Sequence, residues 1–198
     1  VAVGAHPGYP DLMGFGRRAM AVNPGEAKAY MIYQLGALQA FCDSYGVTLQ
    51  HMKLHGAFYN TACVTPALAD AVLDGLQAVN PNIAAMVLSG SYIAKEAERR
   101  GIPVIQEVFA DRGYTDEGTL VPRTEPGAFI KDPQEALERV LMMVTEGKVV
   151  TNTGNTIDIV ADSVCVHGDN PEAIAFTNYI REGLTKAGVT VANFQNRK

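Results

Sequence analysis

Four polar segments of this chain hold the residues whose types could do acid–base chemistry. Residues 4–18, G-A-H-P-G-Y-P-D-L-M-G-F-G-R-R, combine His6 and Asp11 with Arg17 and Arg18 among several glycines. Imidazole and carboxylate groups pass protons near neutral pH or coordinate a divalent ion. A guanidinium offers a planar fork of donors to a carboxylate or a phosphate. Glycines let the backbone approach a ligand closely. This segment is therefore predicted to begin a site.

Three later segments repeat this mixture directly after predicted strands. They contribute, in order, Lys53 with His55; Glu107, Asp111 and Arg112; and His167 with Asp169. Polar residues at the carboxyl ends of parallel strands are the usual position of catalytic groups in α/β proteins. The segments are therefore expected to serve one reaction or one ligand.

Each of these residues also has a structural interpretation. A single loop histidine is more often a hydrogen-bonding residue than a catalyst, and His51, inside a predicted strand, is assigned a structural role. Cys165 is conceivable as a thiol nucleophile, but a buried cysteine is favoured. The histidines lack metal-ligand spacing such as H-E-x-x-H, so a divalent metal stays open. Gly14-Phe15-Gly16 is a weak nucleotide motif, and no G-x-x-x-x-G-K is present.

Strands alternate with amphipathic helices along the whole chain. Strands are predicted at 1–5, 47–52, 83–88, 103–108 and 163–166, with a terminal strand at 189–192 and a hairpin over 148–160. Helices are predicted at 23–45, 65–79, 91–101 and 132–147 and from residue 171 onward. The long segment 109–131 is predicted to be a functional loop.

The alternation predicts an α/β fold with a parallel sheet, either open and doubly wound or part of a closed barrel. Polar clusters at nearly every strand exit favour the barrel, because its strand ends converge on one mouth. Residues 1–198 are predicted to form a single (β/α) barrel domain, since no repeat or linker interrupts them.

The amino-acid composition of the chain restricts the kinds of partner that it is expected to bind. The chain has 198 residues, 47% of them hydrophobic, and a formal net charge of -5. A surface that binds nucleic acid or acidic lipid normally shows a basic excess, so neither partner is expected. Three widely spaced cysteines favour a reducing cytoplasm over a disulfide framework. Small molecules and other proteins, including a homo-oligomer, are the expected partners.

Four long motifs resemble the LamB/YcsF family. They are residues 4–18, K-L-H-G-A-F-Y-N, E-V-F-A-D-R-G-Y and V-C-V-H-G-D, in family order. The resemblance implies a parallel (β/α) barrel-like fold of the glycoside hydrolase/deacetylase type. It also implies the role of the A component in ATP-dependent hydrolysis of the 5-oxoproline lactam to glutamate, together with partner subunits B and C.

The resemblance assigns roles to individual residues. The implied catalytic residues are His6, His55, Glu107, Asp111, His167 and Asp169. The predicted substrate-binding residues are Asp11, Arg17, Arg18, Lys53, Tyr59, Asn60 and Arg112. ATP is the implied co-substrate. A metal-dependent carbohydrate deacetylase-like hydrolase and a non-catalytic small-ligand binding protein remain alternatives.

The chain departs from the family at its start. It begins with Val1 and contains neither an N-C-D-x-G-E strand nor an A-C-G-x-H-x-G-D segment. We therefore expect an N-terminally truncated barrel that lacks its first two β/α units. Part of the site is then expected to be missing, and this chain alone is expected to lack activity.

Overall fold

The computed structural model describes residues 1–167 and 173–194. These residues form two compact units: Val1–Ile105, and the described residues from Gln106 onward. Strand β4 begins in the first unit and ends in the second. The prediction of a single domain over 1–198 stays a prediction.

The first unit alternates strands and helices. In order, its elements are β1 (Val3–Ala5), α1 (Pro24–Tyr45), β2 (Leu49–Met52), α2 (Gly56–Val64), α3 (Pro66–Val79), β3 (Ala84–Leu88) and α4 (Tyr92–Arg99). The strand order is β1-β2-β3, and the start of β4 follows β3. The β1–β2 and β2–β3 pairs are parallel, with Gly4 opposite His51 and His51 opposite Ala84.

Helix α1 has clear start and stop residues. The Asn23 side chain accepts from the Glu26 backbone N–H, and the Glu26 carboxylate accepts from the Asn23 N–H, which completes a capping box. Pro24 occupies the first turn, where its missing N–H costs no hydrogen bond. Gly46 ends the helix with a φ of 66°. The apolar stripe predicted for α1 comprises Ala27, Met31, Leu35, Leu38 and Cys42; all are buried except Leu38, which is half-buried.

Helix α1 packs closely on α3. The contact passes over Gly75 of α3, where an added Cβ would lie 2.6 Å from the Met31 Cβ. A larger residue at 75 would push the helices apart. This packing fixes α1, which follows the loop of residues 6–23 that contains most of the first polar segment.

The second unit contains the end of β4 (Val104–Phe109), α5 (Pro133–Thr145), the hairpin β5 (Lys148–Val150) and β6 (Thr156–Asp158), β7 (Ser163–Cys165) and α6 (Ala173–Lys186). Strands β4 and β7 are parallel, with Glu107 opposite Ser163. Strands β5 and β6 are antiparallel. A buried apolar cluster joins α5 and α6: Ala110, Ala136, Val140, Ile180 and Leu184.

Most predicted elements are confirmed, and so is the α/β class with parallel strand pairs. Residues 56–64, for which no helix was predicted, form helix α2. One prediction is wrong. Residues 189–192 form no strand; this stretch follows the Gly188 turn and makes no ladder. Among the described helices, none is individually long and apolar enough to cross a membrane, although α2 and α3, bent by 116°, meet that test together.

Candidate functional site

Two imidazoles face each other in the first unit. His6 follows β1, and His55 precedes α2 as its N-cap. Their ring centroids lie 4.8 Å apart with the planes at 74°, and His55 Nδ1 is 3.0 Å from His6 Nε2. The outer nitrogens meet main-chain oxygens: His6 Nδ1 is 2.8 Å from the Lys53 carbonyl and His55 Nε2 is 2.7 Å from the Phe15 carbonyl. The structure thus brings two of the predicted catalytic residues into direct contact.

Glycines allow the loop to close around His55. Gly16 has a φ of 66°, and a Cβ on it would lie 2.8 Å from His55 Cδ2. Gly56 has a φ of 58°, and a Cβ there would lie 2.5 Å from the Gly16 carbonyl oxygen. Both positions need a backbone conformation that glycine adopts without strain. The orientation of the imidazole therefore depends on glycine at 16 and 56.

An ion pair fixes the other end of this loop. The Asp11 carboxylate accepts from Arg18 Nε at 3.0 and 3.1 Å, from Arg18 Nη2, and from the Gly14 N–H at 2.9 Å. These hydrogen bonds, the Arg18 bond foremost, lower the pKa of the Asp11 carboxyl from 3.8 to about 2. Asp11 and Arg18, both predicted to bind substrate, bind each other here.

The other residues of the first unit that were predicted to bind substrate lie in the same loop, directly after β2, and in α2. The Arg17 guanidinium is 5.3 Å from the Phe15 ring centroid, and Lys53 Nζ is 6.0 Å from that of Tyr59. Tyr59 is buried, whereas Asn60 is exposed. Their role in binding substrate stays a prediction.

A second pair lies in the second unit. His167 Nδ1 is 2.7 Å from Asp111 Oδ2, and His167 Nε2 is 3.1 Å from Arg123 Nη2. The Phe109 ring stacks on the imidazole at 5.9 Å between centroids. Asp111 and His167 are 56 positions apart in the sequence. They meet because β4 and β7 are paired and their carboxyl ends share one edge.

The partners of His167 decide its tautomer. A guanidinium donates and cannot accept, so Nε2 presents a lone pair to Arg123. The proton of the neutral ring is then on Nδ1 and is donated to the Asp111 carboxylate. A carboxylate that holds the Nδ1–H in this way leaves Nε2 oriented as a proton acceptor. This arrangement suits a general base.

A cavity of about 680 Å³ opens beside this pair. Its apolar lining consists of Phe129, Ile130, Pro133, Val166, Ala175 and Phe176. Its polar lining consists of Asp111, Lys131, Asp132, Gln134, His167 and Tyr179. Apolar walls with a few polar groups are typical of small-molecule sites, which span roughly 300–1,000 Å³.

One polar atom of a cavity-lining residue has no hydrogen-bond partner within the described residues. Asp111 Oδ1 is buried and unpaired, while Oδ2 of the same carboxylate accepts from His167. A buried acceptor left unpaired is unfavourable by about 1–3 kcal/mol.

Two other predicted residues of the second unit are deeply buried. Arg112 donates to the Ala128 carbonyl at 2.9 Å and to the Val121 carbonyl at 2.6 Å. Burial lowers the pKa of this guanidinium. Glu107 is 1% exposed. Arg112 therefore holds the segment 121–128 in place, and its predicted contact with substrate stays a prediction, as does the catalytic role of Glu107.

The long loop is pinned to the β5–β6 hairpin. The Asp116 carboxylate accepts from the hydroxyls of Thr151 at 2.5 Å and Thr153 at 2.7 Å, and from the Asn155 amide at 3.0 Å. These bonds lower the pKa of the Asp116 carboxyl. The loop is therefore an ordered structure that carries Arg123 to His167.

Arg123 was not predicted as a site residue. It lies in the segment 109–131 that was predicted to be functional, but no motif distinguishes it from the other charged residues there. The predicted Asp169 lies outside the described residues. Within the described residues, no group of three His, Cys, Asp or Glu side chains is placed to hold a metal ion.

Comparisons with known proteins agree on one family. The model of the LamB/YcsF family matches residues 1–198. The 5-oxoprolinase A component of Fusobacterium nucleatum is 61% identical over 191 residues, which are 96% of this chain and 74% of that protein. The protein of the same name from Pyrococcus abyssi is 51% identical over 96% of this chain and 75% of its own length.

A solved structure is similar throughout. The crystal structure of the lactam utilization protein from Thermus thermophilus matches with a TM-score of 0.89 and 45% identity. The match covers 98% of this chain and 77% of that one. The parallel α/β architecture seen here is therefore shared with an experimentally determined relative.

Proposed function

The chain belongs to the LamB/YcsF family, and from that premise we propose that it is the A component of a 5-oxoprolinase, which opens a lactam by hydrolysis. Relatives named for the same 5-oxoprolinase component and a lactam utilization protein support the substrate class. The observation that carries the chemistry is the Asp111–His167 pair beside the cavity.

His167 is the proposed general base. Hydrolysis adds the oxygen of water to the lactam carbonyl carbon and breaks the ring C–N bond, and the freed nitrogen takes a proton. His167 Nε2 accepts a proton from the attacking water, while Asp111 holds the Nδ1–H and stabilises the imidazolium that forms. The same imidazolium then returns the proton to the leaving nitrogen.

Asp111 Oδ1 is the proposed acceptor for the ring N–H. Asp111 lines the cavity and its Oδ1 is buried without a partner among the described residues, so a small rotation of the carboxylate would be needed to meet the one N–H that 5-oxoproline presents beside its carbonyl group. This bond would orient the lactam and leave its carbonyl carbon within reach of a water on His167. A lactam methylated on nitrogen would lose this interaction.

Arg123 is the proposed carboxylate-binding residue. In this structure Arg123 donates to His167 Nε2, the same lone pair that the base needs. The guanidinium must therefore move when His167 works, and a substrate carboxylate is a stronger acceptor for it than a neutral imidazole. Binding of an anionic substrate would in this way release the base.

We assign ATP use to the partner subunits B and C. An amide is a poor electrophile, and transfer of the γ-phosphoryl group of ATP to its oxygen, with release of ADP, would activate it for attack; the phosphoryl group then leaves as inorganic phosphate when the water adduct breaks down to glutamate. The chain has no G-x-x-x-x-G-K segment to surround a triphosphate, so the nucleotide is proposed to bind a partner. The present chain then supplies the water-activating step.

The test is production of glutamate from 5-oxoproline and ATP by the full-length protein together with its partner subunits. His167→Ala is expected to lower kcat by about 10²–10⁴, the usual contribution of a general base. Arg123→Ala is expected to raise KM by about 10- to 100-fold, since a charged hydrogen bond contributes about 1.5–3 kcal/mol.

The matched control is Arg181→Ala, which removes an exposed arginine on α6. Unchanged kinetics are expected for this variant. Full turnover by His167→Ala would overturn the assignment of the base. An Arg123→Ala enzyme that lowers kcat and leaves KM unchanged would overturn the carboxylate contact. If the assembled wild-type complex forms no glutamate, the proposed reaction itself is wrong.

A further inference from the structure

The contact between His6 and His55 raises the question of which ring nitrogens carry a hydrogen. The outer nitrogens, His6 Nδ1 and His55 Nε2, each face a main-chain carbonyl at 2.8 and 2.7 Å. A carbonyl oxygen only accepts, so each outer nitrogen carries a hydrogen. A neutral imidazole has only one N–H, so both inner nitrogens present lone pairs to each other at 3.0 Å.

Two lone pairs at this distance require a positive charge between them. A shared proton would supply one, and a metal ion would supply another. Histidine ligands of metals characteristically donate their other N–H to a backbone carbonyl, which fixes the tautomer and the ring orientation. Both imidazoles are held in this way here, by Lys53 and Phe15.

The distance between the inner nitrogens also matches that of two imidazole nitrogens bound to a single Zn²⁺ ion. Two imidazole nitrogens bound at about 2.0–2.1 Å to Zn²⁺, with an angle between right and tetrahedral, are separated by roughly 2.9–3.4 Å. The observed separation is 3.0 Å. The rings cross at 74°, so their inner nitrogens can approach one ion from different directions without the rings colliding.

The surroundings hold the pair in this geometry. The Phe15 ring packs edge-on against His55, with centroids 5.1 Å apart. Gly8 and Gly16 both lie beside His55: a Cβ on Gly8 would lie 3.5 Å from His55 Cδ2, and one on Gly16 would lie 2.8 Å from the same atom. His6, by contrast, is exposed, which gives an ion and its water ligands access from solvent.

We propose that His6 Nε2 and His55 Nδ1 together bind one divalent transition-metal ion of the Zn²⁺ class. Within the described residues no third His, Cys, Asp or Glu completes the set. Zinc in proteins is usually four-coordinate, so the pair leaves two positions for water or a further ligand. The proposal is independent of the proposed lactam hydrolysis.

The test is a calorimetric titration of the chelator-treated chain with Zn²⁺ at neutral pH. One ion per chain is expected. His6→Gln and His55→Gln should each weaken binding at least about tenfold, because each removes one of two ligands. His167→Gln is the matched control, since it removes an imidazole outside the pair, and it should bind Zn²⁺ like the wild type.

A long-range ¹H–¹⁵N NMR spectrum of the wild-type chain tests the same idea without any variant. In the absence of metal the protons should reside on His6 Nδ1 and His55 Nε2, and Zn²⁺ should shift only the inner nitrogens of the pair. Absence of Zn²⁺ binding, equal binding by the pair variants, or a shared proton that Zn²⁺ does not displace would each overturn the proposal.

Discussion

Both the backbone conformation and the close packing at position 16 exclude a side chain. Its φ of 66° is unfavourable for other residues, and a Cβ would lie 2.8 Å from His55 Cδ2. Gly16→Ala is therefore expected to lower the free energy of unfolding by about 1–3 kcal/mol. Urea unfolding measured by circular dichroism gives this value.

Gly36 provides the control for that substitution. It lies inside α1, and a Cβ there would meet no atom within 4 Å. Gly36→Ala is expected to raise the free energy of unfolding by about 0.5–1 kcal/mol, because alanine loses less backbone entropy in a helix. Equal effects of the two substitutions would contradict the close packing described around His55.

Asp11 should make stability depend on pH in the acid range. Its pKa is lowered from 3.8 to about 2 in the folded chain, chiefly by the Arg18 hydrogen bond. A depressed carboxyl pKa stabilises the fold above the unfolded value, and this stabilisation is lost as the pH falls toward the folded value. The stability difference between wild type and Asp11→Asn should therefore shrink between pH 3.8 and about 2.

Urea midpoints of the two proteins across this range check the prediction, since acid effects shared by both cancel in the difference. A difference that stays constant down to pH 2 would show that the Arg18 pair does not perturb Asp11. Above pH 3.8 the difference should be independent of pH.

Single residues were predictable from the sequence where they follow a strand. His6, His55 and His167 were found in this way, because polar residues directly after apolar strands stand out. The contact between Asp111 and His167 was not predictable, since it depends on the pairing of β4 with β7 across 56 positions. Arg123 was missed for a similar reason, because only the folded loop brings it to the imidazole.

At the level of elements, the capping box of α1 should contribute measurably to stability. Asn23→Ala removes the acceptor for the Glu26 N–H and is expected to lower the free energy of unfolding by about 0.5–2 kcal/mol. Asn23→Asp keeps a side-chain acceptor and should stay within a few tenths of a kcal/mol of the wild type. Thermal or urea unfolding of the three proteins compares them directly.

A loss as large in Asn23→Asp as in Asn23→Ala would show that the cap is not the cause. The same residues explain why α1 was predictable: Asn23, Pro24, Glu26 and Gly46 mark both of its ends. Helix α2 was missed because no side chain caps it and Gly56 begins it with a positive φ of 58°. Glycine at that position indicates a loop.

For the whole molecule, exposed apolar residues should promote association between chains most strongly at the pH where the net charge is lowest. Tyr33, Phe41 and Tyr45 are exposed at four- and eight-residue spacing on the outer face of α1. Near the pI of about 5.3 charge repulsion between molecules vanishes. Light scattering at fixed ionic strength should therefore reach a maximum near this pH.

The double variant Tyr33→Gln/Phe41→Gln tests whether this face is responsible. It leaves the charge near pH 5.3 unchanged and should lower the scattering maximum without moving it. The control Val160→Gln changes an exposed apolar residue that is not part of α1 and should leave the maximum as it is. Equal scattering by wild type and double variant would exclude the outer face of α1 as the cause.

The main-chain partners of His6 and His55 have a consequence for directed evolution. Substitution changes a side chain but leaves the peptide carbonyl in place, so no replacement at 15 or 53 deletes the acceptors that orient the two rings. Phe15 is 65% exposed and has a φ of 54°, which favours Gly, Asn and Asp as replacements. A library at positions 15 and 53 can therefore vary the side chains beside the two imidazoles, while the main-chain carbonyls keep the tautomers of His6 and His55 the same.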